Sequence, residues 1–374
     1  MADTQEEVEE ALDVVTTVIT FVGTVAILLL ALAFRRYRAQ QAASRKADPA
    51  DAIGAADAAH VANVLAERVA AGDGVTMETM LNAVTSAPAM RRLGERALRL
   101  ERRSLRRLHG MMQKTALVKA GVAERAPEDG EGAVHLLLGF QLRTAAAEMK
   151  RALPAGLEEL HRTAAIGAGY VLSSSFNHCC AKRWLEPALA THALQAGLRA
   201  GVWSDVDPAC LQLVREQAGG SLPEVGVSAA AQSWLGQPVI GVGSAIEVTV
   251  TVERRHAGST APHTVLTSKK VTRGHDLVDV TESYRCFLER EVDGAGGGKG
   301  SLVGIVDVDV DDPMASHVTS TMKMTAPQQP GTYRFRVHLR TDGLVGMRAE
   351  ASCEFEVVGA DHPALQQDDN DDYD

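Results

Sequence analysis

Three hydrophobic patterns succeed one another along this chain. The first is an unbroken apolar run, VVTTVITFVGTVAILLLALAF, from Val14 to Phe34, without a single charge. A helix of about 21 residues rises roughly 30 Å, the thickness of a bilayer's hydrocarbon core, so the run predicts a transmembrane helix. The second pattern has helical period. Val61, Val64, Leu65 and Val69 share a face over 58–71, and a second helix is expected over 77–84, opened by Thr76 after the Gly72-Asp73-Gly74 break. A long segment, 90–112, sets Leu93, Leu98, Leu100, Leu105 and Leu108 among arginines, and after the break PEDGEG at 127–132 come helices over 133–151, 157–173 and 185–200. Pro154 and Pro187 lie near helix starts, where proline is tolerated.

The third pattern has period two and is expected from Gln237 onward. Ile246, Val248, Val250 and Val252 alternate with polar residues, as do Val306, Val308 and Val310, the stretch 319–325, then Tyr333, Phe335, Val337 and Leu339, and last Cys353, Phe355 and Val357. Short alternating strands between Gly and Pro turns predict a β-sandwich of immunoglobulin or fibronectin type. The expected fold class is therefore multi-domain, α then β. Its parts are an acidic tail at 1–13, a transmembrane helix at 14–34, a basic juxtamembrane linker and helices at 35–128, a helical domain at 129–236, a sandwich at 237–360 and an acidic disordered tail at 361–374.

Charge orients the anchor. The residues before the run are acidic, without Lys or Arg, whereas Arg35, Arg36, Arg38, Arg45 and Lys46 follow it. Basic flanks stay cytoplasmic, which predicts a lumenal N-terminus and cytosolic domains, and an acidic lead with no small-residue cleavage site does not read as a signal peptide. A net charge of -10 and 4% aromatics disfavour a nucleic-acid binder. Five cysteines, Cys179, Cys180, Cys210, Cys286 and Cys353, have no CxxC spacing, which predicts reduced and mostly buried thiols.

Candidate chemistry is sparse. Asn177-His178-Cys179-Cys180 puts a histidine beside thiols, but neighbours on a helix face different ways. Asp307, Asp309 and Asp311 alternate with valines, which suits the wet face of a strand better than a calcium loop with its turn glycine. Ser173-Ser174-Ser175 lacks a GxSxG elbow and reads as a polar cluster at a helix end. GAGGGKG at 294–300 lacks the strand and helix of a phosphate loop. No catalytic, cofactor-binding or metal-binding residues are expected, and the chain is not read as an enzyme. The arginine-rich segment 91–107 suits a solvated face, an acidic partner or a membrane surface.

Several stretches resemble the Sec-sixty-three family of the endoplasmic-reticulum translocon and its Brl-type helical region. They are Ala133 to Phe140 (AVHLLLGF), Leu153-Pro154 with Leu157 to Leu160, Trp184-Leu185 with Pro187-Ala188-Leu189, and Asp207 to Leu213. Later come Val242-Gly243-Ser244, then Ala326 to Tyr333 (APQQPGTY), Val337 to Asp342 with Gly346, and Asp361-His362-Pro363 before the acidic end. The likeness covers about 130–374, and 14–125 in layout only. Departures are a single span, no lumenal J-domain and its His-Pro-Asp triplet, Val214 where the family has proline, and a shortened segment from Leu213 to Gln237.

The resemblance implies a non-catalytic accessory subunit of the endoplasmic-reticulum protein-conducting channel, supporting post-translational translocation without cofactors. It would sit in that membrane and dock on channel subunits from the cytosol. It implies that Asp368, Asp369, Asp371, Asp372 and Asp374 bind the basic segment of a second accessory subunit of Sec-sixty-two type; a separate J-domain protein is a candidate further partner that the sequence leaves open. The rival readings are a membrane-anchored adaptor not tied to the channel and an RNA-binding fragment resting on the arginines of 91–107.

Overall fold

The computed structural model describes residues 53–114, 125–143, 153–201, 224–257, 271–273, 276–278, 282–291, 300–312, 314–341 and 347–365. Six helices come first: α1 Ala55–Ala71, α2 Met77–Ser86, α3 Pro88–Met112, α4 Gly130–Gln141, α5 Glu158–Ala181 and α6 Leu185–Ala200. Ten strands follow: β1 Val225–Ser233, β2 Ile240–Gly241, β3 Ala245–Arg254, β4 Val271–Arg273, β5 Asp276–Val278, β6 Ser283–Arg290, β7 Ser301–Asp309, β8 His317–Thr325, β9 Gly331–Thr341 and β10 Arg348–Val358. The chain thus carries helices in its first half and sheets in its second. Among the described residues no helix is long and apolar enough to cross a membrane, and the expected span at 14–34 lies outside them.

The helices start where the sequence offers caps. Thr76 Oγ1 accepts from the Thr79 amide at 3.2 Å and opens α2, and Asp129 Oδ1 accepts from the Gly132 amide at 2.7 Å and opens α4. Asp57 is buried and ties two helix starts together. Its carboxylate accepts from the Gly54 amide at 3.0 Å, ahead of α1, and from the Ala89 amide at 2.7 Å in the first turn of α3. α3 and α4 meet at a glycine crossing. A Cβ at Gly94 would collide with the Gly130 carbonyl, and one at Gly130 with the Arg91 carbonyl. At Gly94 the atoms nearest the added Cβ are all backbone of Gly130, so no flexible side chain can yield. Gly94→Ala is expected to destabilise the chain by about 1–3 kcal/mol, the usual range for overpacking. A urea midpoint unchanged from the parent chain would refute this.

One core cluster runs from Val61 to Leu198 through all six helices. The boundary expected at 128/129 is therefore not a packing boundary, since α3 lies against α4 across it. Helix α5 also runs past the expected end at Ser173, to Ala181. Its serines lie within the helix, where Ser175 Oγ donates back to the Val171 carbonyl at 2.9 Å.

The long strands form two sheets that share a second core. One is ordered β1-β3-β8 and the other β2-β10-β9-β6-β7. Pairing is antiparallel except for the short β2 on β10. Ile246, Val248, Val250 and Val252 of β3 join Cys286 and Leu288 of β6, Val337 and Leu339 of β9, and Phe355 and Val357 of β10. At the sheet edges, β1 lies beside β10 and β7 beside β8. The strand region begins at Val225, not Gln237. β1 reads VGVSAAAQS, and its alanines give no apolar alternation by which a strand is recognised.

β6 joins the two cores. Tyr284, Cys286 and Leu288 face the sheet core, while Phe287 between them belongs to the helical core together with Leu302 of β7. Phe287 meets the rings of Phe176 in α5 and His192 in α6 edge-on, with centroids 6.0 and 5.5 Å away. Beyond α5, Arg183 takes a left-handed φ of 58°. The Trp184 amide reaches back to the Cys179 carbonyl at 2.9 Å and the Arg183 amide to Cys180 at 3.0 Å, a Schellman closure in which glycine usually stands. The Arg183 carbonyl accepts from the Leu302 amide at 3.1 Å, which holds the helix end against β7.

Candidate functional site

The turn after β1 holds two large apolar side chains out of the fold. Trp234 is 43% exposed and Leu235 is 71% exposed. The turn is fixed from below: the Trp234 amide donates to the Ala245 carbonyl at 3.0 Å, and the Gly236 amide to the Ser233 carbonyl at 3.2 Å. Gly236 takes a φ of 73°, a conformation that residues with a Cβ rarely adopt. The Lys323 ammonium of β8 lies 3.0 Å from the centroid of the Trp234 ring. Tryptophan is a frequent anchor of protein interfaces, and a cation on one face of the indole fixes its orientation before any partner arrives. The sequence reading missed this tip. Its signal was the dipeptide Trp234-Leu235 followed directly by Gly236, an apolar pair at a turn.

Two polar networks brace the sheets. In the first, Glu282 takes Arg254 bidentately, with Nε to Oε1 at 2.9 Å and NH2 to Oε2 at 2.6 Å. It also accepts from the Tyr284 hydroxyl, and His256 Nε2 stands 2.9 Å from Oε1. Arg254 donates further to the Ala315 carbonyl at 2.5 Å, and His256 Nδ1 faces the Glu224 carbonyl at 3.2 Å. This network joins the end of β3 in one sheet to the start of β6 in the other. Burial pushes the Glu282 carboxyl up, but the hydrogen bonds from Arg254 and Tyr284 and the charges of Arg254 and His256 outweigh it and hold it below its ordinary value.

In the second network His338 of β9 lies between two carboxylates, Glu289 at 2.8 Å and Glu350 at 3.0 Å. Burial opposes ionisation of Glu350, yet the His338 hydrogen bond and the charges of His338, Arg340 and Arg336 keep its carboxyl below the usual value. These side chains cross-link neighbouring strands β6, β9 and β10. Both networks are ties within the fold.

The sequence candidates are scattered. Cys179 is buried, His178 packs its ring 5.6 Å from Trp184, and Ser173 bonds Gln195 of α6, so they do not converge. Burial pushes the Cys179 and Cys286 thiols up to about 12, far from the reactive range. The described thiols, Cys179, Cys180, Cys286 and Cys353, are free, and three of them are buried as expected. Asp307 and Asp309 stand on the exposed face of β7, where Asp307 takes Arg285 at 2.6 Å. Among the described residues no three His, Cys, Asp or Glu are grouped to hold a metal ion. Asp368, Asp369, Asp371, Asp372 and Asp374, expected to bind a partner, lie outside the described residues, as do Cys210 and most of the glycine-rich tip at 294–300.

No family model matches the chain, and no curated protein matches it. Among solved structures it is similar to a β-glucosidase from Listeria innocua at 14% identity and a TM-score of 0.21, over 37% of this chain and 16% of that one. It is also similar to the alkylpurine DNA glycosylase AlkC of Pseudomonas fluorescens, at 14% identity and a TM-score of 0.19 over 80% of this chain and 76% of that one. BslA, a bacterial hydrophobin, aligns over its full length with 38% of this chain at 14% identity and a TM-score of 0.20. Likenesses this weak say nothing of fold or activity. The chain spans 16% of the length of the β-glucosidase it matches.

Proposed function

We propose that this chain is a non-catalytic, single-pass accessory subunit of the endoplasmic-reticulum protein-conducting channel. In this reading the helix at 14–34 anchors it with a lumenal N-terminus, and the cytosolic part docks on channel subunits in support of translocation. The ordered likeness to the Sec-sixty-three family over 130–374 supports the reading. So does the strand order. If the seven long strands β1, β3, β6, β7, β8, β9 and β10 are lettered in turn, one sheet holds the first, second and fifth, and the other the third, fourth, sixth and seventh. That division departs from the immunoglobulin constant type, which pairs the fourth strand into the first sheet, and leaves the fibronectin type as the variant of the sandwich reading it favours. The observation that carries a docking role is the exposed Trp234–Leu235 turn, an apolar anchor on a rigid base. The acidic residues Asp368, Asp369, Asp371, Asp372 and Asp374 are assigned to the basic segment of a second accessory subunit.

The test is affinity purification of the tagged full chain in mild detergent with mass spectrometry of its companions. Channel subunits are expected with the parent chain and are expected to be depleted with Trp234→Ala/Leu235→Ala. The second accessory subunit is expected to be lost on deleting 361–374, and to dissociate first as salt rises, because that contact is electrostatic. Recovery of an unrelated membrane complex without channel subunits would overturn the channel reading in favour of the adaptor.

A further inference from the structure

α3 carries a charge pattern that the docking role does not use. Arg91, Arg92, Arg96, Arg99, Arg102, Arg103, Arg106 and Arg107 are all exposed. The helix breaks at Glu101, and within each stretch four arginines span an arc of about 140° at 100° per residue: Arg91, Arg92, Arg96 and Arg99 away from the buried Leu93 and Ala97, and Arg102, Arg103, Arg106 and Arg107 away from the buried Leu105 and Leu108. Among the described residues none of the eight pairs with a carboxylate. The helix's own acids leave most of that charge in place. Glu101 has non-helical backbone, φ −130° and ψ 35°, and its carboxylate turns aside to accept from Ser104 Oγ at 3.0 Å and to lie over Gly156. Glu95, inside the first arc, packs its side chain against Gly130. Arginines four residues apart within one stretch, such as Arg92 with Arg96 and Arg103 with Arg107, repel one another along the helix. A fold that keeps eight such charges exposed along the two stretches of one helix leaves a surface complementary to an extended anion.

We propose that this arginine face lies on the anionic phospholipid headgroups of the bilayer that anchors the chain. The inference rests on the membrane anchor of the proposed function. Three observations favour lipid over other anions. First, the helix carries no Phe, Tyr or Trp, and single-stranded RNA binders stack bases on such rings. Second, Leu100 stands 63% exposed at the margin of the first arc, an apolar group able to enter the headgroup layer beside guanidinium–phosphate contacts. Third, the predicted span ends at Phe34 and α1 begins at Ala55. That connection reaches at most about 70 Å when extended, so the face meets the bilayer at high effective concentration. The basic cluster of Arg35, Arg36, Arg38, Arg45 and Lys46 adds to the same attraction toward an anionic leaflet.

The experiment places the full chain with Leu100→Trp in nanodiscs containing lipids brominated on their acyl chains. The unsubstituted chain serves as the blank for the native tryptophans. With phosphatidylserine present, the added indole is expected to be quenched. In phosphatidylcholine alone, in about 0.5 M salt, or with Arg99, Arg103, Arg106 and Arg107 changed to Glu, the quenching is expected to be lost. Equal quenching in both lipids overturns the proposal. Quenching that appears only after deletion of 361–374 also overturns it, because the acidic tail then occupies the face. An indole that responds to added duplex RNA and not to phosphatidylserine overturns it in favour of nucleic acid. Alkaline carbonate extraction of the same chain from vesicles reads the anchor separately. If the chain is released, the anchor reading fails, and flotation of the released chain with phosphatidylserine vesicles at low salt then decides the face alone.

Discussion

Glu282→Ala is expected to destabilise the folded chain by roughly 3–5 kcal/mol, the range for removing one partner of a buried ion pair. The side chain of Arg254 is 3% exposed and that of Glu282 is 21% exposed. The pair therefore gains little from solvent, and the substitution takes the bidentate carboxylate away from a buried guanidinium. Glu282→Gln keeps the shape and one acceptor but removes the charge, so its cost is expected to fall between alanine and the parent. Urea unfolding of the full chain in mild detergent measures all three. A loss below about 1 kcal/mol for the alanine variant would place this network with exposed salt bridges. Acid sharpens the test. The folded carboxyl lies below its ordinary value of 4.5, so its contribution is complete above that pH and is lost as pH falls through the folded value. His135 produces a separate, earlier decline. Burial first, then the charges of Arg125 and Arg143, lower its imidazole from 6.5 to about 4. The unfolded chain therefore binds that proton first, and stability falls across that interval in the parent and in Glu282→Ala alike. Only the parent is expected to lose the further share below pH 4.5.

The sequence was most readable where one face is wet. β3, β8 and β10 alternate cleanly, and each lies within a few residues of its expected place. The helical segments over 58–71, 77–84, 90–112 and 185–200 also stand where their apolar spacing put them. β6 could not be read this way. Cys286, Phe287 and Leu288 are three consecutive buried residues, because this strand has a core on each side, so period two disappears. β1 failed for the opposite reason, as small alanines carry too little apolar contrast. The end of α5 was misplaced because three serines resemble a helix stop, whereas Ser175 satisfies its hydroxyl on its own helix.

The candidate site divides similarly. The arginines were visible as composition, but that none of them pairs with a carboxylate among the described residues depends on where Glu95 and Glu101 turn, which only tertiary packing decides. The Trp234 tip was missed because exposure of a tryptophan cannot be told from its burial without the turn beneath it. The helical segment expected over 129–236 and the sandwich expected over 237–360 were separated at the change of period. The strands do have a core of their own, but Phe287 and Leu302 join the helical one, a crossing that the change of period gives no sign of.

Phe287→Ala tests that shared core and is expected to cost about 3–5 kcal/mol, as for other fully buried phenylalanines. The distinctive outcome is loss of coupling. In the parent, Phe287 meets Phe176 and His192 from the helices, while Arg285 on the same strand lies 5.2 Å over the Phe176 ring. Opening the helices therefore removes contacts from β6, and the two halves are expected to unfold together. Hydrogen exchange on peptides covering 158–200 and 283–309 should report one common opening free energy in the parent chain. In Phe287→Ala the helical peptides should open at lower free energy while the sheet peptides keep most of their protection. Phe287→Leu, which retains apolar volume without the edge-on ring contacts, should preserve the coupling and lose less stability. If the alanine variant is weaker but its two peptide sets still open together, the weld lies elsewhere, and the hydrogen bond from the Leu302 amide to the Arg183 carbonyl becomes the stronger candidate. If the parent already shows two opening free energies, helices and sheets are independent folding units despite their common residues.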